Sequence, residues 1–280
     1  MKSGSEFGYI SLVNMRMSLS SLGGEATSQV LGKAWWKVPR HQQLLFRLQT
    51  ARLLKLAKQR LTYRDLAKIT GLQITVLSRY VKGHVVPNMD RAMMIWKSLD
   101  ESFGLRSHLL RRVEASKWGA IEAYSLVGDP VILSLAGADV LARYAGYRVT
   151  KVLTAAINGI PLATVVAQAL NVPLVIAKKQ RDLGAKTYLE TPLTVNGEHV
   201  EMLYVPADSL CHRDSVLIVD DIVRTGATAM ALVRLINEVR PRSGRHAEAA
   251  GVYCLIGFRD AVERLREQGL RVECALEVVE

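Results

Sequence analysis

Val216-Leu-Ile-Val-Asp-Asp-Ile-Val-Arg-Thr-Gly-Ala-Thr228 joins an apolar strand, an acidic pair and a turn of small residues without a gap. Val216 to Val219 are four consecutive aliphatic residues, the pattern of a strand buried on both faces of a parallel sheet. Asp220 and Asp221 are therefore expected at its carboxyl end. Thr225, Gly226, Ala227 and Thr228 then turn the chain into a helix whose apolar period runs through Ala229, Leu232, Val233, Leu235 and Ile236. Backbone N–H groups and two hydroxyls thus gather at a helix N-terminus, which is an anion site suited to phosphate. Carboxylates beside it repel phosphate but accept hydrogen bonds from sugar hydroxyls, so the combination suits a ribose 5-phosphate. Two plainer readings compete. The acidic pair could simply cap a helix, or the strand could open a receiver domain. A receiver carries its acidic pair near its beginning, whereas only 60 residues follow Asp220.

The stretch resembles the phosphoribosyl pyrophosphate (PRPP) motif of type I phosphoribosyltransferases at every position but Arg224. The resemblance implies that Asp220 and Asp221 hold the ribose hydroxyls. It also implies that the loop of Arg224, Thr225, Gly226, Ala227 and Thr228 holds the 5-phosphate, with Mg2+ accompanying PRPP to offset its diphosphate charge.

Charge divides the chain of 280 residues unevenly. Residues 1 to 125 hold 20 Lys and Arg against 8 Asp and Glu, while residues 126 to 280 hold 17 against 18, which together give the net +11. A basic half joined to a neutral one points to a polyanionic partner for the basic half. Cys211, Cys254 and Cys274 are widely spaced and odd in number, which signals neither a disulfide framework nor a zinc site and fits a reducing cytoplasm. No apolar run long enough to span a membrane and no signal-peptide pattern is present, so no membrane partner is expected.

Residues 1 to 37 lack sustained periodicity and read as a disordered or tag-derived lead. From Pro39 an amphipathic helix with a basic face follows, and Thr62 with Asp65 supplies a capping box for the next one. Gly71 breaks that helix, Leu72 to Lys82 form another that Gly83 ends, and Pro87-Asn-Met-Asp90 starts a third. The arrangement is similar to the helix-turn-helix of the Cro and phage-repressor type, with Leu66, Ala67, Leu72 and Leu77 at core positions. The resemblance implies that Gln73, Thr75 and Ser78 face base edges of a double-stranded DNA operator and that Arg79 and Lys82 face bases or phosphates. Arg106, Arg111, Arg112 and Lys117 mark a connector helix that also has the charge to touch phosphates.

Val131 to Leu135 reads as a short extended stretch and Ala138 to Tyr144 as a helix. Val149 to Leu153 is a strand, Thr154 to Gly159 a turn of small residues, Pro161 to Leu170 a helix and Leu174 to Ala177 a strand. This βαβ unit implies a parallel sheet with ligands at the carboxyl ends of its strands. By the same family resemblance Ala156, Asn158 and Gly159 contact pyrophosphate, and the basic run Lys178-Lys179-Gln-Arg181 brings Lys178 and Lys179 to it. Two alternating stretches flank Asn196-Gly197 and read as a hairpin that closes over the site.

The expected fold is an α/β, type I phosphoribosyltransferase-like parallel sheet with a flexible hairpin over residues 120 to 280. An all-α helix-turn-helix domain with its connector precedes it over residues 38 to 119. In that order the modules resemble archaeal transcriptional regulators that pair a helix-turn-helix with a phosphoribosyltransferase-like domain. The resemblance implies a homodimeric DNA-binding regulator that senses PRPP or a related nucleotide. The alternative is an active nucleobase phosphoribosyltransferase with an accessory DNA-binding domain. Arg224 divides the two, because 6-oxopurine phosphoribosyltransferases carry an Asp at the matching position and an arginine is no general base at neutral pH.

Overall fold

The computed structural model describes residue 35 and residues 38–115, 122–144, 146–181, 183–195, 199–241, 244 and 246–279. The expected lead before residue 35, Lys117 and the Asn196-Gly197 turn lie outside them. The first helix, α1 (Arg40–Lys58), buries Phe46, Thr50, Leu53, Leu54 and Ala57, a single stripe at helical spacing. Lys55 and Lys58 in its last turn complement the helix dipole. Phe46 lies between Trp35 and Trp96, with ring centroids 4.7 and 5.2 Å away.

Two short helices follow, α2 (Tyr63–Thr70) and α3 (Ile74–Val81), joined through Gly71 in the left-handed conformation at φ 67°. The Thr62 hydroxyl accepts from Asp65 N at 3.2 Å and Asp65 Oδ2 accepts from Thr62 N at 2.9 Å, the reciprocal capping box that the sequence predicts. Helix α4 (Met89–Phe103) is capped by Asn88 and followed by α5 (Leu105–Ala115). At the end of α4 the Asp100 carboxyl folds back so closely over Gly104 that a Cβ there would lie 1.9 Å from Asp100 Oδ1.

After α6 (Ala123–Val127), helix α7 (Pro130–Tyr144) corrects the expected extended stretch at Val131 to Leu135. Pro130 opens it and Asp129 Oδ1 accepts from Val131 N at 2.8 Å, while 11 of its 15 residues are buried. A helix buried nearly all round loses the apolar period that distinguishes it from a strand. Helix α1 packs on α7 as well as on the other helices: Arg52 donates to the Ser134 hydroxyl at 2.8 Å, and that hydroxyl donates to Gln49 Oε1 at 2.8 Å.

The sheet has five parallel strands in the order β2-β1-β5-β6-β7, formed by β1 (Lys151–Ala155), β2 (Leu174–Ala177), β5 (Ser215–Val223), β6 (Glu248–Phe258) and β7 (Val272–Val278). Strand β5 is central and its residues Ser215 to Val219 are all buried, as the aliphatic run requires. It runs on to Val223, so Asp220 and Asp221 sit inside its last turn of pleat rather than beyond it, with Asp220 in register with Cys254. Helix α8 (Gly159–Leu170) crosses from β1 to β2 and starts two residues before Pro161, where the sequence places it. Helices α9 (Ala227–Asn237) and α10 (Arg259–Glu267) make the other crossovers.

The hairpin of β3 (Tyr188–Val195) and β4 (His199–Pro206) forms its own two-stranded sheet. Lys178 and Tyr204 exchange backbone hydrogen bonds of 2.9 and 2.8 Å, and Arg234 of α9 donates to Pro192 O at 2.9 Å, so the hairpin is tied to the sheet's end and to α9. Behind the sheet the buried Arg143 guanidinium bridges Asp139 and Glu273 at 2.8 Å each, and Tyr253 donates to Asp139 at 2.9 Å. Burial and the neighbouring Asp139 charge push the Asp100 carboxyl up to about 7. Among the described residues no helix is long and apolar enough to cross a membrane.

Candidate functional site

The acidic pair combines burial with an unsatisfied carboxylate oxygen. Asp221 is buried and its Oδ2 has no hydrogen-bond partner, while its N–H donates to Asp220 Oδ1 at 3.0 Å. Burial, with the Asp221 charge beside it, raises the Asp220 carboxyl well above the ordinary carboxylate range. Two acids held this closely, one with an unused buried oxygen, call for donors or a cation from outside the chain.

The loop before α8 reaches that pair. A Cβ on Gly159 would lie 2.4 Å from Thr154 Oγ1, 3.4 Å from Asp220 Oδ1 and 3.5 Å from Val219 O. The absence of a side chain therefore lets the first turn of α8 abut β5 at the acidic pair. The loop before it contains a cis peptide between Ala156 and Ile157. On the other side Gly226 has φ 81°, and a Cβ on it would meet the Leu265 side chain at 3.2 to 3.4 Å. A left-handed turn packed against α10 thus starts α9, with Arg224 and Thr225 exposed and Ala227 and Thr228 half-buried. Thr225 Oγ1 accepts from Ala227 N at 3.3 Å.

A cleft of about 610 Å³ is lined by Ala156, Ile157, Asn158, Lys178, Lys179, Gln180 and Arg181. It brings together four of the five residues that the sequence assigns to pyrophosphate; the fifth, Gly159, is buried next to Asp220. Lys179 Nζ is paired with Glu201 at 2.7 Å. Arg181, third cation of the basic run, is ion-paired with Glu190 and lies 4.9 Å above the Tyr204 ring. Sequence reasoning gave Arg181 no role, although its place in that run was a signal. Phe258 carried none. It ends β6, and the Arg224 guanidinium lies over its ring at 5.2 Å.

Among the described residues no three His, Cys, Asp or Glu side chains gather so as to hold a metal ion. The site fits Mg2+ only as part of a chelate in which ligand oxygens complete the coordination.

On the helical side, Gln73 precedes α3 as its N-cap without a side-chain cap bond, and Thr75, Arg79 and Lys82 are exposed with it. Ser78 is half-buried. Thr75, Ser78, Arg79 and Lys82 follow helical spacing on one face, while Leu66 and Leu77 are fully buried and Ala67 and Leu72 pack against them.

A parallel α/β sheet with an acidic pair on its central strand and a glycine-led helix start beside it defines a sugar-phosphate-binding class of fold. Residues 137–275 match the model of the phosphoribosyl transferase domain. The xanthine phosphoribosyltransferase of Moorella thermoacetica is 32% identical over 152 residues, 54% of this chain and 76% of that protein. The chain belongs to the phosphoribosyltransferase family. A second xanthine phosphoribosyltransferase, from Bacillus mycoides, is 28% identical over 152 residues, covering 54% of this chain and 75% of its own length. Among solved structures, the adenine phosphoribosyltransferase of Rhodothermus marinus aligns with a TM-score of 0.51 and 24% identity over 62% of this chain and 98% of its own. The APRTase of Giardia lamblia gives 0.51 and 18% over 62% and 97%. These relatives are named as enzymes. The two xanthine phosphoribosyltransferases support the catalytic alternative better than the expected regulator, the solved structures show the fold, and none of them speaks to DNA binding.

Proposed function

We propose that the chain is a nucleobase phosphoribosyltransferase, of the kind that acts on purines, with an accessory helix-turn-helix module. The observation that carries this reading is the helix start at Gly159 abutting Asp220, with the left-handed helix start at Gly226 following the acidic pair along the same chain segment. In the proposed complex the two carboxylates accept from the ribose hydroxyls, and Asp221 Oδ2 gains the partner it lacks. Thr225 to Thr228 surround the 5-phosphate at the N-terminus of α9. The diphosphate lies along Ala156 to Gly159 with Lys178 and Lys179 at the cleft beyond. Mg2+ bound with PRPP would offset the diphosphate charge as it departs. A nitrogen of the base forms a bond to ribose C1, the bond from C1 to the diphosphate oxygen breaks, and pyrophosphate leaves with the electron pair. The nitrogen-bound proton of the base passes to solvent water or to an oxygen of the departing pyrophosphate, because Arg224 cannot accept it.

The test is pyrophosphate release from PRPP with xanthine, guanine, hypoxanthine and adenine in turn. Turnover of about 1 per second or faster with one of them, the ordinary enzymatic range, is the expected result. Release no faster than without a base would overturn it.

A second reading is favoured by Arg224. Its guanidinium covers an aromatic face beside the loop, and no carboxylate occupies that loop position to take a proton from a base. On this reading PRPP is bound and sensed without turnover, and the exposed Gln73, Thr75, Arg79 and Lys82 read an operator as part of a homodimer. Arg79→Ala should then weaken operator binding by about 1–3 kcal/mol, and Lys82→Ala should weaken all sequences alike with a shallower salt dependence. Gel-shift titration at two salt concentrations measures both. Unchanged affinity in the Arg79 and Lys82 double variant would remove the DNA-binding role.

A further inference from the structure

Arg224 and Phe258 have no part in the complex proposed above, yet they lie on the side of the acidic pair away from the diphosphate cleft. The parallel strands stand side by side in the order β2-β1-β5-β6-β7. The cleft is lined by the segments that follow β1 and β2, Ala156 to Asn158 and Lys178 to Arg181. Asp220 and Asp221 belong to β5, between that cleft and β6. Arg224 directly follows β5, and its guanidinium carbon lies 5.2 Å from the ring centre of Phe258, the last residue of β6. The guanidinium is exposed and its donors have no hydrogen-bond or ion-pair partner among the described residues. A ring beside it thus holds the cation in place without consuming its N–H groups.

The direction of attack at ribose C1 decides what reaches those donors. A nitrogen that displaces a diphosphate approaches C1 from the face opposite the leaving group, with attacking and leaving atoms in line. With ribose on the carboxylates of β5 and diphosphate on the β1 side, the incoming base falls on the β6 side, beside Arg224 and Phe258. Ribose and diphosphate are placed here by the phosphoribosyltransferase reading, on which the assignment rests. We propose that Arg224, positioned by Phe258, is the specificity-determining residue for the base and selects a 6-oxopurine over adenine. A 6-oxopurine presents two neighbouring acceptors, N7 and O6, which one guanidinium meets with two donors. Adenine presents N7 beside a 6-amino donor, and an arginine side chain has no acceptor to offer it.

Inosine monophosphate (IMP) and adenosine monophosphate (AMP) share the ribose 5-phosphate and differ at position 6 of the base, so calorimetric titration of the full chain with each reads the preference directly. Nucleotide binding needs no turnover. The wild type should bind IMP more tightly than AMP by about 10-fold or more, the scale of one bidentate contact. Arg224→Met should bring the two affinities within about threefold by weakening IMP alone. Phe258→Leu should shrink the preference, and Arg224→Lys, which keeps the charge without the paired donors, should keep only part of it. Equal affinity of the wild type for IMP and AMP overturns the assignment. So does an Arg224→Met variant that weakens IMP, AMP and ribose 5-phosphate alike, which would place the guanidinium on the phosphate. Base-dependent pyrophosphate release without an IMP preference keeps the enzyme and removes this role of Arg224, whereas an IMP preference without release keeps the role and removes the enzyme.

Discussion

Replacing Asp220 and Asp221 together by asparagine should weaken PRPP binding by about 100-fold or more while leaving the fold as stable as before or more so. Each hydrogen bond from a ribose hydroxyl to a carboxylate is of the charge-assisted kind, worth about 1.5–3 kcal/mol, and about 1.4 kcal/mol is tenfold in affinity. In the free protein the same carboxylates repel each other, one holds a buried oxygen without a partner, and Asp220 has a raised pKa. Losing that repulsion favours the folded state. The sign with pH follows. Ribose hydroxyls and a cation favour the ionised pair, so affinity should fall as the pH drops through the raised Asp220 pKa, and Asp220→Asn should flatten that dependence. Calorimetric titration with PRPP and Mg2+, together with thermal melts, separates the two effects. Equal affinity in wild type and double variant would show that the acidic pair does not hold the ribose.

Asp100→Asn should stabilise the protein by about 2–4 kcal/mol at pH 8 and by little at pH 4, an order-of-magnitude expectation from the shift and its linkage. Burial and the Asp139 charge raise the Asp100 carboxyl from 3.8 to about 7 in the folded state. Between those values the unfolded chain releases this proton and the folded chain keeps it. The stability associated with Asp100 is therefore full below about pH 4 and declines as pH rises towards 7. Asparagine has no proton to lose and occupies the same space over Gly104, so its advantage should grow through that window and then level off. Urea denaturation at pH 4, 6 and 8 measures the difference. An asparagine variant no more stable than wild type at pH 8 would mean that Asp100 sheds its charge penalty in some other way.

Where one residue pattern determined one structure, the sequence was legible. The aliphatic run at Val216 predicted a central parallel strand, Leu174–Ala177 matched its strand, and Thr62 with Asp65 located a helix start. Helix α7 was misread in its first half because burial on nearly every side removes periodicity. Strand β5 outran its acidic pair because pairing with β6 continues to Val223 opposite Gly257, which is a property of the neighbour rather than of the segment. Contacts between distant residues were out of reach: Arg143 with Glu273, Arg224 with Phe258, and the Gly159 backbone against Asp220. Four of the five residues assigned to pyrophosphate line one cleft, with Gly159 outside it, whereas no pattern in the sequence could anticipate that Lys179 and Arg181 would be paired with Glu201 and Glu190 across the hairpin. The relatives are named for catalysis, and that supports the enzymatic alternative better than the regulator expected from Arg224 and the helix-turn-helix.

Helix α1 presents different sides to the helical layer and to the α/β layer. Phe46 meets Trp96 of α4, and Gln49 and Arg52 meet Ser134 of α7. Gln42 Nε2 donates to Leu170 O at the end of α8 at 3.4 Å. Neither layer can melt without stripping a face of this one helix, so scanning calorimetry of the whole chain should record a single endotherm rather than two. A fragment starting at residue 120 would leave the α7 surface uncovered and should aggregate, whereas one starting at residue 38 keeps the shared helix and should remain monodisperse.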